Sequence, residues 1–222
     1  LVSVGFKAVQ WNRRKLVYDA VLLAGVAAFI AIFIVASGYS TPGRPYLERL
    51  DILIRAFGGC AFLMLTIILA IGPLARLDAR FLPVLYNRRH FGVLTFLVAL
   101  AHVGFMLEWF AAQGVLASLA NDFTTWTDYG RFIGFPFKTL GLVALLILFV
   151  MAATSHDFWL QFLTPPLWKA LHMGIYAAYA LVVMHVALGL MQFDRSPAIP
   201  LMLVSGFALV AVLHVAAGWA GA

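Results

Sequence analysis

Six histidines, His90, His102, His156, His172, His185 and His214, carry most of the chemistry open to this chain. Imidazole is costly in hydrocarbon, so a histidine within an apolar run marks a ligand, a proton path or a bond between helices. Four of them fall in two pairs. His90 and His102 are 12 residues apart, about 18 Å along a helix, and His172 and His185 are 13 apart, about 19.5 Å. If both runs are helices pointing the same way, the imidazoles lie at two matching depths. Two facing imidazoles at one depth can hold a haem iron from both sides, with the porphyrin between the helices. Two haems stacked in this way make a route for electrons. Zinc wants four donors in a tight tetrahedron, and these pairs are too far apart for one. Helical phase resists the scheme in part, since 12 positions leave a pair about 120° apart and 13 leave it about 140° apart.

The other polar residues near the pairs have two readings each. His90 adjoins Arg88 and Arg89 at a run's edge, where a wet, helix-capping residue is as natural as a ligand. His214, in the last apolar run, falls near the depth of His172; it is a reserve axial ligand or an interhelical hydrogen-bonding group. His156 lies in a connection and reads as exposed. Arg88, Arg89 and Lys169 are placed to neutralise propionates of a shallower haem, although topology alone puts basic residues there. Arg55 is placed to offset a deeper haem's propionates, to pair with Glu108, or to snorkel to the surface. Gly92, Gly104, Gly174 and Gly189 would give a macrocycle a flat face, and small residues also serve plain helix packing. Trp126 and Trp168 read as interfacial anchors.

The elements that must position these groups follow from composition. Of 222 residues, 64% are hydrophobic and only 11% charged, and the mean hydropathy is +0.99. A soluble chain of this size must cover its outside with polar groups, typically about a quarter of them charged. Lipid removes that demand. A span takes about 20 residues, and the apolar runs are expected at 16–37, 52–71, 90–110, 136–154, 167–192 and 197–219, with the second stopping at Gly72-Pro73. Runs such as Ala20–Ala36 are apolar on every side, which excludes the alternating pattern of a barrel. The expected fold is therefore an all-α integral membrane protein, a six-transmembrane-helix haem-binding bundle forming one domain over 1–222. Cys60 stands alone in an apolar run and reads as packing.

Six spans put both termini on one face, side A. It collects Lys7, Arg13, Arg14, Lys15, Arg76, Arg80, Arg88, Arg89 and Lys169 against Asp19, Asp78 and Asp157. Side B balances Arg44, Arg49, Arg55, Arg131, Lys138 and Arg195 against Glu48, Asp51, Glu108, Asp122, Asp128 and Asp194. Basic residues stay on the cytoplasmic side, so side A and both termini are expected to be cytoplasmic. The same bias explains the basic pI without a nucleic-acid partner, for which no extramembrane basic domain exists. The first apolar run is too long for a cleaved signal segment. The chain starts at Leu1 and stops at Ala222 directly after an apolar run, so a further soluble domain beyond Ala222 stays open.

Two stretches have a recognisable pattern. Asn87-Arg88-Arg89-His90-Phe91-Gly92 through Ala101-His102, and Leu167-Trp168-Lys169-Ala170-Leu171-His172 through Met184-His185, resemble the ferric-reductase-like transmembrane domain family. The Arg-Arg-x-x-Gly opening and the Trp-Lys-x-x-His motif with a second histidine 13 later are similar to its bacterial branch. That branch includes the haem-binding membrane subunit of the methionine sulfoxide reductase system. The resemblance runs from about Ile52 to His185. It implies a cytochrome b subunit of an oxidoreductase system in the bacterial inner membrane, holding one or two haem b groups on His102, His172 and His185. Electrons would come from a cytoplasmic flavin reductase or membrane quinol and go to a redox partner on the periplasmic side. His90 departs from the bacterial pattern, and its spacing to His102 departs from the wider family's, which leaves the haem count open. No G-x-G-x-x-G fingerprint follows a strand, so any flavin or quinone enters with a partner or a further segment. The polar loop 111–135 is the expected docking surface for an external acceptor. Two other classes compete: a structural or assembly subunit with vestigial haem sites, and a transporter or proton channel using Arg55, Glu108 and the histidines.

Overall fold

The computed structural model of the chain describes residues 13–111, 114–125, 135–189 and 196–220. Lys7, Trp126, Asp128, Arg131, Asp194, Arg195, residues 112–113 and 126–134 of the expected docking loop and the last residues of the expected fifth span lie outside them. The described chain is helical: α1 (Arg13–Ala36), α2 (Tyr46–Leu77), a 3-10 turn (Ala79–Phe81), α3 (Leu82–Tyr86), α4 (Arg88–Phe110), α5 (Val115–Thr125), α6 (Phe137–Ala153), α7 (Asp157–Phe162), α8 (Pro165–His172), α9 (Gly174–Leu188) and α10 (Ala198–Trp219). Five stretches are long and apolar enough to cross a membrane: α1, α2, α4, α8 with α9, and α10. Helix α6 is equally apolar but has 17 residues, about 25 Å of helix.

Local chemistry sets the helix ends, and two differ from the sequence expectation. Helix α2 begins at Tyr46, not near Ile52, and runs through Pro73 to Leu77. A proline near a helix end costs one backbone bond and leaves the following turn intact. The stop comes instead at Asp78, whose backbone is extended and whose N–H still donates to the Leu74 carbonyl at 2.8 Å. The Asp78 carboxylate then accepts from the Arg80 N–H at 2.9 Å and pairs with the Arg80 guanidinium at 2.6 Å, opening the next turn. Those Arg80 bonds hold the Asp78 carboxyl below the usual carboxylate range. The expected fifth span is two helices. Pro165-Pro166 start α8, Met173 separates it from α9, and Gly189 caps α9 at Leu188. The connection after α4, expected as a loop, contains α5.

Helix α2 lies at the centre, with α4, α10 and α1 packed around it, while α6 pairs with α9 and touches α4. One core joins Phe62, Leu65 and Leu69 of α2 to Leu148 of α6, Ala178 and Tyr179 of α9, and Leu203 and Val210 of α10. A second joins Cys60, Met64 and Ile71 of α2 to Phe91 and Val98 of α4. The first contains a buried polar contact between helices. Thr66 Oγ1 donates to the Phe62 carbonyl at 2.9 Å, and the Tyr179 hydroxyl donates to Thr66 Oγ1 at 3.1 Å. The Tyr179 ring also stacks on Phe62, with centroids 5.8 Å apart. Helix α10 reaches α2 at Gly206, where a Cβ would lie 3.0 Å from the Phe62 ring. Outward faces stay apolar: Ile32, Val35, Leu201, Val204 and Val212 are exposed. Apolar residues on the outside of apolar helices are suited to lipid, and this is a multi-pass membrane protein.

Candidate functional site

Helices α2 and α4 are antiparallel, because Tyr46 at the start of α2 donates to Glu108 near the end of α4. Helices α6 and α9 are antiparallel in the same way, with Phe137 beside His185. The two resulting hairpins stand side by side with α4 and α8–α9 pointing in one direction. Near one end, His102 and His185 are within electrostatic reach of each other. Near the other, His172 is within reach of Arg88 and Arg89. The start of α4 thus lies towards α8, and the His102 turn of α4 towards the His185 turn of α9.

The deeper pair is built twice by the same device. His102 Nδ1–H donates to the Ile54 carbonyl at 2.9 Å, across 48 residues. His185 Nδ1–H donates to the Phe137 carbonyl at 2.9 Å, also across 48 residues. A carbonyl can only accept, so each neutral ring carries its proton on Nδ1 and keeps a bare lone pair on Nε2, the form that binds a metal. Each ring also lies on a glycine. A Cβ on Gly58 would sit 3.0 Å from His102 Nδ1, and one on Gly141 would sit 2.9 Å from His185 Cε1. The Phe137 ring stands 5.5 Å from the His185 ring and occupies the space a Gly189 side chain would need. Among the described residues, no three His, Cys, Asp or Glu side chains converge on a point. Two imidazoles on neighbouring hairpins, each with its Nε2 unbonded among the described residues, suit a bis-imidazole porphyrin, which supplies the other four donors itself. The residues present fit haem.

The other sequence candidates have different surroundings. His172 donates from Nδ1 to the Trp168 carbonyl at 3.0 Å, and the Ser155 hydroxyl lies 3.4 Å from its Nε2. Its ring stacks on Trp168 at 3.8 Å, and the Arg89 guanidinium lies over the Trp168 ring at 5.2 Å. Trp168, expected as a lipid-interface anchor, is thus held between Arg89 and His172, with its indole N–H on the Thr154 carbonyl. His90 is bonded through Nδ1 to Asp19 of α1 at 2.9 Å. Both ring nitrogens of His214 are engaged: Nδ1–H donates to the Val210 carbonyl at 2.8 Å, and Nε2 accepts from the Tyr176 hydroxyl at 3.1 Å. His156 is exposed and caps α7 by accepting from the Phe158 N–H. Arg55 pairs with Asp51 at 2.7 Å, and Lys169 is exposed. Of the glycines expected to face a macrocycle, Gly92 and Gly104 have nothing within 4 Å of where a Cβ would stand, and Gly174 faces Ile147.

Sequence reading missed Gly58, Gly141 and Lys138. Lys138 follows Phe137 as Arg55 follows Ile54; it bonds Ser118 Oγ at 3.0 Å and lies over the Phe110 ring. The likeness between segments 54–58 and 137–141 is the signal that could have found all three.

Comparison with known proteins gives two results. Residues 55–183, more than half of the chain, match the family model described as ferric reductase like transmembrane component. The magnetosome protein MamZ of Magnetospirillum gryphiswaldense is 30% identical over 165 residues, which is 73% of this chain and 24% of that protein. The chain thus spans about a quarter of the length of that relative.

Proposed function

Because the chain belongs to the ferric reductase like transmembrane component family, whose domains move electrons through membranes, we propose that it does so through haem b held between His102 and His185. The observation that carries this reading is the twice-built imidazole mount, with both rings in the metal-binding tautomer and within reach of each other. Bound there, haem would supply a one-electron iron couple in the low-dielectric interior. The chain's own residues do the rest. His102 and His185 would hold the group through their Nε2 nitrogens, the Ile54 and Phe137 carbonyls keep Nδ1 protonated, and the helices exclude water from the pair. Arg55 and Lys138, one residue past each carbonyl, are the cations suited to propionates at that depth. A second haem between His90 and His172 rests on depth alone; the Asp19 and Ser155 contacts give each ring another role.

We assign α6 as the sixth span, with Pro136 and Thr154 extending its 17 residues. Both termini are then cytoplasmic, on the strength of Arg13, Arg14, Lys15, Arg76, Arg80, Arg88, Arg89 and Lys169 gathered at one end. The motifs Arg88-Arg89-x-x-Gly92 and Trp168-Lys169-x-x-His172 support grouping the chain with the bacterial haem-binding membrane subunits of the methionine sulfoxide reductase type. On that reading the membrane is the bacterial inner membrane. The donor is a cytoplasmic flavin reductase or membrane quinol, reached near Trp168 and His172, and the acceptor is a periplasmic redox partner. The test is the reduced-minus-oxidised spectrum and haem content of the purified protein. The expectation is b-type bands with one haem per chain, lost in His102→Ala and in His185→Ala and kept in His90→Ala. A wild-type protein without those bands would end the proposal.

A further inference from the structure

We propose that Gly58 and Gly141 are positioning residues that set the planes of the two axial imidazoles, an inference that rests on the haem reading above. Three positions recur at a constant displacement of 83 residues: the acceptor carbonyl (Ile54 and Phe137), the glycine (Gly58 and Gly141) and the histidine (His102 and His185). The intervening residues keep their types. Ile54-Arg55-Ala56-Phe57-Gly58 and Phe137-Lys138-Thr139-Leu140-Gly141 both read apolar, basic, small, apolar, glycine, and each histidine is followed by valine. One mount has been made in both hairpins.

Helix geometry explains why glycine is the residue required. In an α-helix the carbonyl of residue 54 already accepts the N–H of residue 58, and the same holds for 137 and 141. Every Cβ leans toward the helix N-terminus and covers the turn before it. A side chain at 58 or 141 would therefore lie over the carbonyl that the imidazole must reach. Removing that Cβ opens the second lone pair of the oxygen and gives the ring a flat seat on bare backbone. The bond and the seat together stop the ring from turning about its Cβ–Cγ bond. An alanine at 141 would place carbon 2.9 Å from Cε1 and 3.0 Å from Nδ1 of His185, closer than carbon atoms approach. The ring must then rotate or leave the carbonyl. Either change alters the direction of the Nε2 lone pair and the electron density on it.

The experiment compares the full chain in detergent as wild type, Gly58→Ala, Gly141→Ala, and the controls Gly92→Ala and Gly104→Ala, whose added methyls meet nothing within 4 Å. Three quantities are read: haem affinity, the g-values of the oxidised low-spin haem by electron paramagnetic resonance, and the histidine tautomers of haem-free, 15N-histidine-labelled protein by NMR. The tautomer signals are assigned with His102→Ala and His185→Ala. We expect Nδ1-protonated His102 and His185 in wild type. Gly58→Ala should move only the His102 signal and Gly141→Ala only the His185 signal, each with shifted g-values and about 10-fold weaker haem binding. The controls should match wild type. Glycine variants with wild-type g-values and tautomers would overturn the inference while leaving the haem reading intact. Equal disturbance by all four alanines would overturn it too, since it would report packing alone. A wild type that binds no haem, yet shows tautomers moved by the two glycines, would remove the haem reading and leave the ring seats standing.

Discussion

The Thr66–Tyr179 pair is a buried polar contact between the two hairpins, and its two ends are not equivalent. Thr66 Oγ1 donates its only proton to the Phe62 carbonyl, so the Tyr179 hydroxyl is the donor between them. Tyr179→Phe removes that donor, keeps the ring stack on Phe62 and strands only an acceptor lone pair of Thr66. Interhelical hydrogen bonds in membranes average about 0.6 kcal/mol, and the loss should be of that size. Thr66→Val has nearly the same shape but leaves a buried phenolic O–H without an acceptor, at about 1–3 kcal/mol. Removing both partners leaves nothing unsatisfied, so the double variant should be no less stable than Thr66→Val alone. The assay is reversible unfolding in mixed mild detergent and dodecyl sulfate micelles, followed by circular dichroism, with a double-mutant cycle. Equal costs for the two single variants, or additive costs in the double variant, would refute the assignment of donor and acceptor. Because this pair joins α2 to α9, Thr66→Val should also loosen the approach of His102 to His185 and weaken haem binding.

Other outcomes follow from single contacts. Gly206→Val drives two methyls into the Phe62 ring, and detergent unfolding should show a loss of about 1–3 kcal/mol; Gly72→Ala, with open space around it, should show none. His214→Ala and Tyr176→Phe should leave haem content and spectrum unchanged, since each ring nitrogen of His214 already has a protein partner; loss of a haem band would return His214 to the ligand set. The Asp78 carboxyl is held below its unfolded value of about 3.9 by Arg80, so its contribution to the turn is present above that value. It should fade as pH falls through the lowered folded value. Amide exchange at Arg80 should report this, and Asp78→Asn should abolish the pH dependence in that window.

Much of the arrangement was legible in the residues. Histidine spacing implies two depths because rise per residue is a property of the helix itself, and four of the six apolar runs match a helix within three residues, whereas α2 extends six further at each end. The phase objection, that 12 or 13 positions do not share a face, loses force at the deeper pair. Each of those two rings needs only to reach a neighbouring helix, not to share a face with the histidine at the other depth. What the residues alone could not show is which helix lies behind each ring. Gly92, Gly104, Gly174 and Gly189 drew attention because they share helices with the histidines, whereas the glycines in contact with the rings, Gly58 and Gly141, are on α2 and α6. Pro73 misled for a related reason. A proline signals a break locally, but the cost near a helix end is one bond, and the surrounding core on α2 continues through Ile71. The neighbours of His90 and His214, Asp19 and Tyr176, depend on which helices meet, and no local motif encodes that.

The acceptors that orient His102 and His185 are main-chain oxygens, and this has a consequence for how the protein tolerates mutation. No codon change at position 54 or 137 can delete a carbonyl, so the bond does not depend on which side chain stands there, although the Phe137 ring also packs beside His185. Saturation mutagenesis should find Ile54 permissive, Phe137 limited to side chains that fill the same space, and the two glycines four residues further on intolerant. A survey of variable and invariant columns would therefore mark the seat and overlook the anchor.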